Sequence, residues 1–404
     1  MNDLPTSRNM SQRPARPTAR RGIVGVLAAG LALMMAVTVT ACTSSKPSSR
    51  AAEPSVNAGY LATAGKQLTA LYKGTYTKPT GPKVDSKRGE NVWVISPGES
   101  TEAAHNLSSA VQQAGRSLGW NVTIFDGKDS PTTYVPGIQQ ALAAKADAII
   151  VSYIDCAGIR TGLQEAKQAN VPVVAVESSD CNQVSKDGPQ LFNWVVTYGD
   201  NNEPFRQWTQ DWGRAQGTWL IAKTNGRANV VLSVETDLTT TDLTGTALKE
   251  QLHQCAGCTV HWLPFVSADL GTALSQKISQ ALLQYPDVNS FIAAYDAVLT
   301  LGGATALKAS GRHLYVVGGE GSAPGIQLIR EGQTEACSGI PTAWEGYAAV
   351  DAVTRNLAHQ DPAEARSGIG LQVCDAQHNL PPAGQPYQPP VDFRAAYHQM
   401  WGIS

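Results

Sequence analysis

Carboxylates recur just beyond the apolar runs of this chain. Asp155 follows AIIVS, Glu177 and Asp180 follow VPVVAV, Asp242 comes soon after ANVVLSV, Asp296 follows SFIAA, and Glu320 follows LYVVG. Hydroxyl-bearing residues share such positions: Ser96, Ser100 and Thr101 after VWVIS, Ser178 beside Glu177, and Tyr295 beside Asp296. Ionised carboxylates only accept hydrogen bonds, whereas hydroxyls both donate and accept. Together they suit a polar small molecule. They also have a plainer use, because an acid after a strand often caps the next helix. Capping or a surface role is the competing expectation for Asp155 and Asp180. No Gly-x-Ser-x-Gly elbow or His-Glu-x-x-His helix is present, and GGEGSAPG at 318–325 lacks the lysine of a phosphate loop. The chain is therefore not expected to be an enzyme.

A second chemistry concerns Cys42. Arg13, Arg16, Arg20 and Arg21 form a basic leader, and 22–41 is uncharged and mostly apolar. The run ends at Val39-Thr40-Ala41-Cys42 and turns polar at once. A basic leader, an apolar stretch and a small-residue cleavage site make a secretory signal. The end of this stretch resembles the lipobox of bacterial lipoproteins, in which the cysteine thiol takes the lipid and becomes the first mature residue. The competing reading is a membrane anchor, since ~20 apolar residues suffice for a span. Arg20-Arg21 leaves general secretory and twin-arginine export both open.

The chain has 404 residues, a formal net charge of -2 and 42% hydrophobic residues. Nothing in that balance calls for nucleic acid. After the leader, enough chain remains for two domains of ~100–200 residues. Besides Cys42 there are six cysteines: Cys156, Cys181, Cys255, Cys258, Cys337 and Cys374. An even number in an exported chain argues for disulfides, with fifteen possible pairings. Cys255-Ala-Gly-Cys258 could be a redox motif, but such motifs open a helix after a strand. This one follows a helix and precedes a strand, so a structural role is expected. A zinc site at this motif would need a second ligand pair, for which His253 and His261 are the candidates; neither metal nor cofactor is expected.

The carboxylates need a scaffold to gather them. Residues 42–57 read as a flexible tether, and 58–72 carry apolar residues at helical spacing. Strands are then expected at 92–96, 122–125, 148–152 and 171–176, with helices at 100–118, 135–144 and 159–169 between and before them. The alternation restarts with a helix at 204–216. Strands follow at 228–234, 259–263, 290–294 and 314–318, and helices at 244–253, 273–283, 298–309 and 345–358. Uniformly apolar strands alternating with helices indicate parallel sheets covered on both faces. The expected class is α/β, with two doubly wound lobes.

This order of motifs resembles the type I periplasmic binding proteins, the ribose- and galactose-binding group that serves ABC importers. The resemblance runs from about Arg88 to the C-terminus. It rests on NVWVISPGES, GWNVTIFDGKDSP, KADAIIVSYID, ANVPVVAVESSD, YPDVNSFIAAYDAVLTLGGATALKASGR and LYVVGGEGSAPGIQLIREG. It implies two lobes joined by a three-crossing hinge, with crossings near 198–201, 337–341 and 370–375. The implied division is a signal peptide over 1–41, a tether over 42–57 and a helical extension over 58–87. The N-terminal lobe takes 88–199 with 341–371, and the C-terminal lobe takes 200–340 with 372–404. Under that arrangement Cys156 and Cys181 end neighbouring strands, and Cys337 and Cys374 flank two crossings, so each is an implied disulfide pair. Cys255 with Cys258 makes the third.

The resemblance also implies ligand contacts at Ser96, Ser100, Thr101, Glu177, Ser178, Asp242, Tyr295, Asp296, Glu320 and Trp344. Several positions depart from the sugar-binding pattern. Ser178 stands where an arginine often follows the acid, Asp242 stands near another arginine position, and Tyr295 replaces an asparagine. Glu320 replaces an aspartate, and Ile340 leaves a glutamine without a counterpart. Ribose itself is not the expected ligand. The implied protein is a monomeric, lipid-anchored receptor outside the cytoplasm, handing a sugar, polyol or similar solute to an ABC permease. The alternatives are a sensing lipoprotein that signals to a membrane kinase, and a receptor for an amine-bearing non-sugar solute.

Overall fold

The computed structural model describes residues 58–85, 88–185 and 187–403. The signal, Cys42 and the tether lie outside the described residues. Among the described residues, no helix is long and apolar enough to cross a membrane.

Two sheets form the scaffold. The first contains β1 (Asn91–Ser96), β2 (Asn121–Asp126), β3 (Ala148–Ser152), β4 (Val173–Val176) and β5 (Trp194–Val195). Their order is β2-β1-β3-β4-β5, and every neighbouring pair is parallel. The second contains β6 (Asn229–Glu235), β7 (Thr259–Phe265), β8 (Ser290–Ile292), β9 (Tyr315–Val317), β10 (Ala336–Cys337) and β11 (Cys374–Asp375), in the order β11-β10-β9-β8-β6-β7. Only β11 is antiparallel to its neighbour. Each sheet reverses its winding beside its first strand, between β1 and β3 and between β6 and β8. Crevices at the carboxyl ends of strands open at such reversals.

The apolar runs bury both faces, as expected for parallel strands. Val92 and Val94 of β1 and Ile150 of β3 join a core with Leu107, Val111 and Tyr347. Ile95, Ile149 and Val151 point the other way, into a core with Ile138 and Leu163. The second sheet repeats this: Val231 and Phe291 pack with Leu274 and Ile278, and Val230, Leu232 and Ile292 with Trp219 and Leu248. The edge strands show it by contrast. β2 exposes Asn121 and Thr123, and β7 tolerates Pro264 because its outer side has no strand to bond.

Some elements differ from the sequence reading. The helix expected over 298–309 is broken into Asp296–Val298, a wide turn at Leu299–Gly303, and Ala304–Ala309. Gly302, at φ 129°, takes a backbone that other residues avoid. The helix Phe393–Met400, placed with the C-terminal lobe by the sequence, packs in the first sheet's core instead. Phe393 stacks on Trp344 at 5.0 Å, and Trp401 Nε1 donates to Asp351 Oδ1 at 2.9 Å.

The hinge segments lie side by side. Gly199 and the 368–369 segment exchange backbone hydrogen bonds of 2.8 and 2.9 Å. Cys337 pairs in register with Cys374 and is disulfide-bonded to it. The N-terminal extension adds a strap. Its helix Ala58–Lys73 sends Leu68 into the second lobe's core. The chain then runs along the third crossing, with Thr75, Thr77 and Thr80 donating to Leu371, Gly368 and Arg366. Tyr76 Oη donates to Gly339 O of the second crossing at 2.5 Å.

The remaining cysteines also pair. Cys156 is bonded to Cys181, with Cα atoms 5.2 Å apart. Cys255 is bonded to Cys258 between the helix Thr239–His253 and β7.

Candidate functional site

The carboxyl ends of both sheets converge on a cleft of about 700 Å³. Its wall includes Thr101, Glu177, Asp242, Tyr295, Asp296 and Glu320 from the sequence-derived set. The turn after each strand sets these side chains. Tyr153 after β3 and Glu177 after β4 both take positive φ, 54° and 44°. Bulky residues avoid that region unless the surroundings enforce it, and such strain gathers at functional sites.

Asp296 is occupied by its own protein. Its Oδ1 accepts from Gly319 N at 2.8 Å, and its Oδ2 accepts from Gly321 N, Ser322 N and Ser322 Oγ at 2.6–2.9 Å. This explains the glycine-rich run. A Cβ on Gly319 would stand 2.5 Å from Tyr295 Cα, and one on Gly325 would stand 2.3 Å from Asp296 Oδ2. The run wraps a carboxylate of the protein itself. Asp296 N in turn donates to Glu320 Oε2 at 3.0 Å.

The other sequence-derived residues divide. Ser96 is wholly buried at the end of β1, outside the cleft wall. Ser100 is exposed and donates to Asp129 Oδ2 at 2.7 Å. Ser178 Oγ bridges Ile154 N and Val176 O, bracing β3 against β4. Trp344 is 0% exposed and stacked between Phe393 and Tyr76. These four do not line the cleft. Trp344 occupies the core face of its helix Thr342–Leu357, and the next residue, about 100° further round, is the one that matters.

That residue is Glu345, which the sequence reading missed. It is 0% exposed and accepts from Tyr198 Oη at 3.0 Å. Across from it is Glu177, 3% exposed. Glu177 Oε1, Glu345 Oε2 and Tyr153 Oη are buried with no hydrogen-bond partner. Burial raises the Glu177 carboxyl well above the usual carboxylate range, and the adjacent Glu345 raises it further. Burial pushes Glu345 up to about 8. It pushes Glu320 to about 8 as well, with help from Asp296. Glu235 was also missed. It ends β6 as Glu177 ends β4, so its signal was an acid closing an apolar strand. It accepts from Tyr295 Oη and Ser267 Oγ, and burial raises it to about 7.

Two acids of the first lobe clasp helix ends of the second. Asp155 accepts from Ser179 N at 2.6 Å and from Thr239 N at 2.8 Å, so it caps the helix Thr239–His253 across the cleft. Glu102 accepts from Ala323 N at 2.9 Å, at the start of the helix Ala323–Arg330. Unpaired amides at helix starts favour such anionic partners. Asp180, by contrast, caps locally, accepting from Cys181, Leu191 and Phe192.

Residues 92–361 match the model of a family described as periplasmic binding protein domain. The ribose import binding protein RbsB of Bacillus subtilis (strain 168) is 21% identical over 237 residues, 57% of this chain and 70% of that protein. Among solved structures, the glucose-galactose binding protein GanP from Geobacillus stearothermophilus has 18% identity and a TM-score of 0.60. The match covers 72% of this chain and 99% of that one. A solute-binding protein from Agrobacterium vitis bound with alpha-D-tagatopyranose has 18% identity and a TM-score of 0.63, over 74% and 100% of the two chains. At these identities the structural likeness speaks for the fold.

Proposed function

Because this chain belongs to the periplasmic binding protein family, we propose that it captures a hydroxylated small solute, a sugar or polyol, between its lobes and delivers it to an ABC importer. The observation that carries this reading is the cleft itself. It collects carboxylate acceptors from the strand ends of both sheets, together with Tyr153 and Tyr295. Vicinal hydroxyls donate to carboxylates, and aromatic rings cover the apolar faces of a sugar. Similar proteins are named for ribose import and for glucose and galactose binding. The protein works outside the cytoplasm. Anchoring through lipid on Cys42 and action as a monomer complete the proposal.

The test is a thermal-shift screen of the purified full-length protein against sugars and polyols. Ligand at ~100 times its dissociation constant adds ~2.7 kcal/mol to stability, which reads as a clear melting shift. A panel of such solutes that leaves the melting temperature unmoved removes this reading.

A further inference from the structure

The cleft is chemically lopsided. Nine acids line it, among them Glu177, Glu235, Asp296 and Glu320. The single basic residue in its wall is the exposed Arg206. Some of these acids are engaged by the protein: Asp296 by its glycine-rich turn, Asp155 and Glu102 by the opposite helices. Glu177 is different. It is nine-tenths buried, lines the buried end of the cleft, and holds an oxygen to which no N–H or O–H of the protein donates; its neighbour there is the Glu345 carboxyl. Glu345, behind it, has a second such oxygen.

We propose that this end of the cleft is a cation subsite: it receives the protonated amine of a hydroxylated solute, an amino sugar or amino polyol, with Glu177 and Glu345 as its counter-charges. The proposal rests on the reading above and names the substrate class of the same site. Two buried carboxyls that face each other cannot both ionise alone, so a proton or a cation must stand between them. A buried unpaired acceptor is destabilising, and an ammonium group brings three donors that satisfy several at once. A neutral polyol needs donors from the protein as well as acceptors. Exposed Arg206 is the one basic donor in this wall. Tyr153 and Tyr295 add ring surface, which suits a desolvated cation.

The groups facing this pair come from three elements. Tyr198 of the first crossing donates to Glu345, Tyr153 follows β3, and Glu320 follows β9. All are acids or phenols, so no protein cation competes with the ligand. In the empty cleft the carboxyls hold protons, for the burial reasons given above. An arriving ammonium replaces a proton, and binding releases it to solvent.

The experiment is calorimetric titration of the purified full-length protein with matched pairs. D-glucosamine and D-galactosamine are set against D-glucose, D-galactose and N-acetyl-D-glucosamine, and N-methyl-D-glucamine against sorbitol. Two buffers of different ionisation enthalpy are used, neither a primary amine. The expected result is at least tenfold tighter binding of the amines, with proton release that is largest near pH 6 and falls as pH approaches 8. The variant Glu177→Gln should lose at least tenfold in amine affinity, and more than it loses for the neutral partners. Because that variant could fold poorly, the wild-type comparison of each amine with its neutral or N-acetylated partner stands alone. Neutral sugars binding as tightly as their amino counterparts overturn the cation subsite and leave the sugar receptor intact. Absence of binding by every member of the panel overturns both.

Discussion

The acids of the cleft are not equivalent, and their partners say how. Asp296 holds four donors of the turn at 319–322. Losing it would leave three buried amides unpaired, each costing ~1–3 kcal/mol. Asp296→Ala is therefore expected to lower stability by several kcal/mol, read by chemical denaturation. Asp242→Asn, at an exposed position of the wall, should leave stability within ~0.5 kcal/mol. Equal losses for the two would contradict the structural role of Asp296. The raised carboxyls make a separate prediction about pH. Glu345 and Glu320 are held at about 8 in the fold against 4.5 in the open chain. Between those values the folded empty protein binds protons that the unfolded chain has released. Stability should then fall as pH rises from ~5 to ~8, by up to ~1.4 kcal/mol per pH unit for each such group. Melting curves at pH 5, 6.5 and 8 measure this, and Glu345→Gln should flatten the slope. A melting point that rises over that range would mean the pair is not protonated in the empty cleft.

Elements decide how the lobes close. Each lobe supplies a rigid sheet, and the segments between them run in parallel paths. The strap from Lys73 to Val84 and the Cys337–Cys374 bridge bind those paths to one another. Relative motion is therefore channelled into opening and closing, with twist opposed. First-lobe carboxylates on second-lobe helix starts bridge the cleft and favour closure. A helix cap is worth ~1 kcal/mol, so removing one shifts the closed population by about fivefold. Asp155→Ala and Glu102→Ala are each expected to weaken ligand binding by roughly that factor. The free protein should show a larger radius of gyration in small-angle scattering. Unchanged scattering and affinity in the double variant would show that these contacts do not hold closure.

At the scale of the molecule, the fold explains why a carrier of this class needs no reactive centre. Ligand contacts made from both lobes stabilise the closed form, and a ligand shifts the equilibrium only by its difference in affinity for the two forms. A permease can then read the closed surface. The lipid anchor proposed at Cys42 would keep that surface near the membrane. Cys42→Ala should move the protein from the membrane fraction to the soluble or culture fraction while its ligand affinity stays the same. Retention of the variant in the membrane fraction would favour the anchor reading of the apolar segment.

The sequence by itself determined what depends on short-range pattern. Runs such as AIIVS and VPVVAV are apolar throughout because their strands are covered on both faces, and that alone indicates helices on either side of parallel sheets. Acids closing those runs marked the rim of a crevice, because strand ends in such sheets meet there. Glu177 and Glu320 were legible in this way, and Glu235 carried the same sign. Other features required the tertiary structure, because they depend on residues far apart in the chain. Asp296 looked like Glu320 until the turn at 319–322 was seen wrapped around it. Trp344 and Glu345 are neighbours in sequence, yet one faces a core and the other a carboxyl 168 positions away in the numbering. The helix Phe393–Met400 carried apolar residues that would suit either lobe, and only packing against Trp344 and Tyr347 chose the first. Periodicity reports which face of an element is buried. It does not report against what, and the partner decides whether a buried acid is a cap, a brace or a place for a ligand.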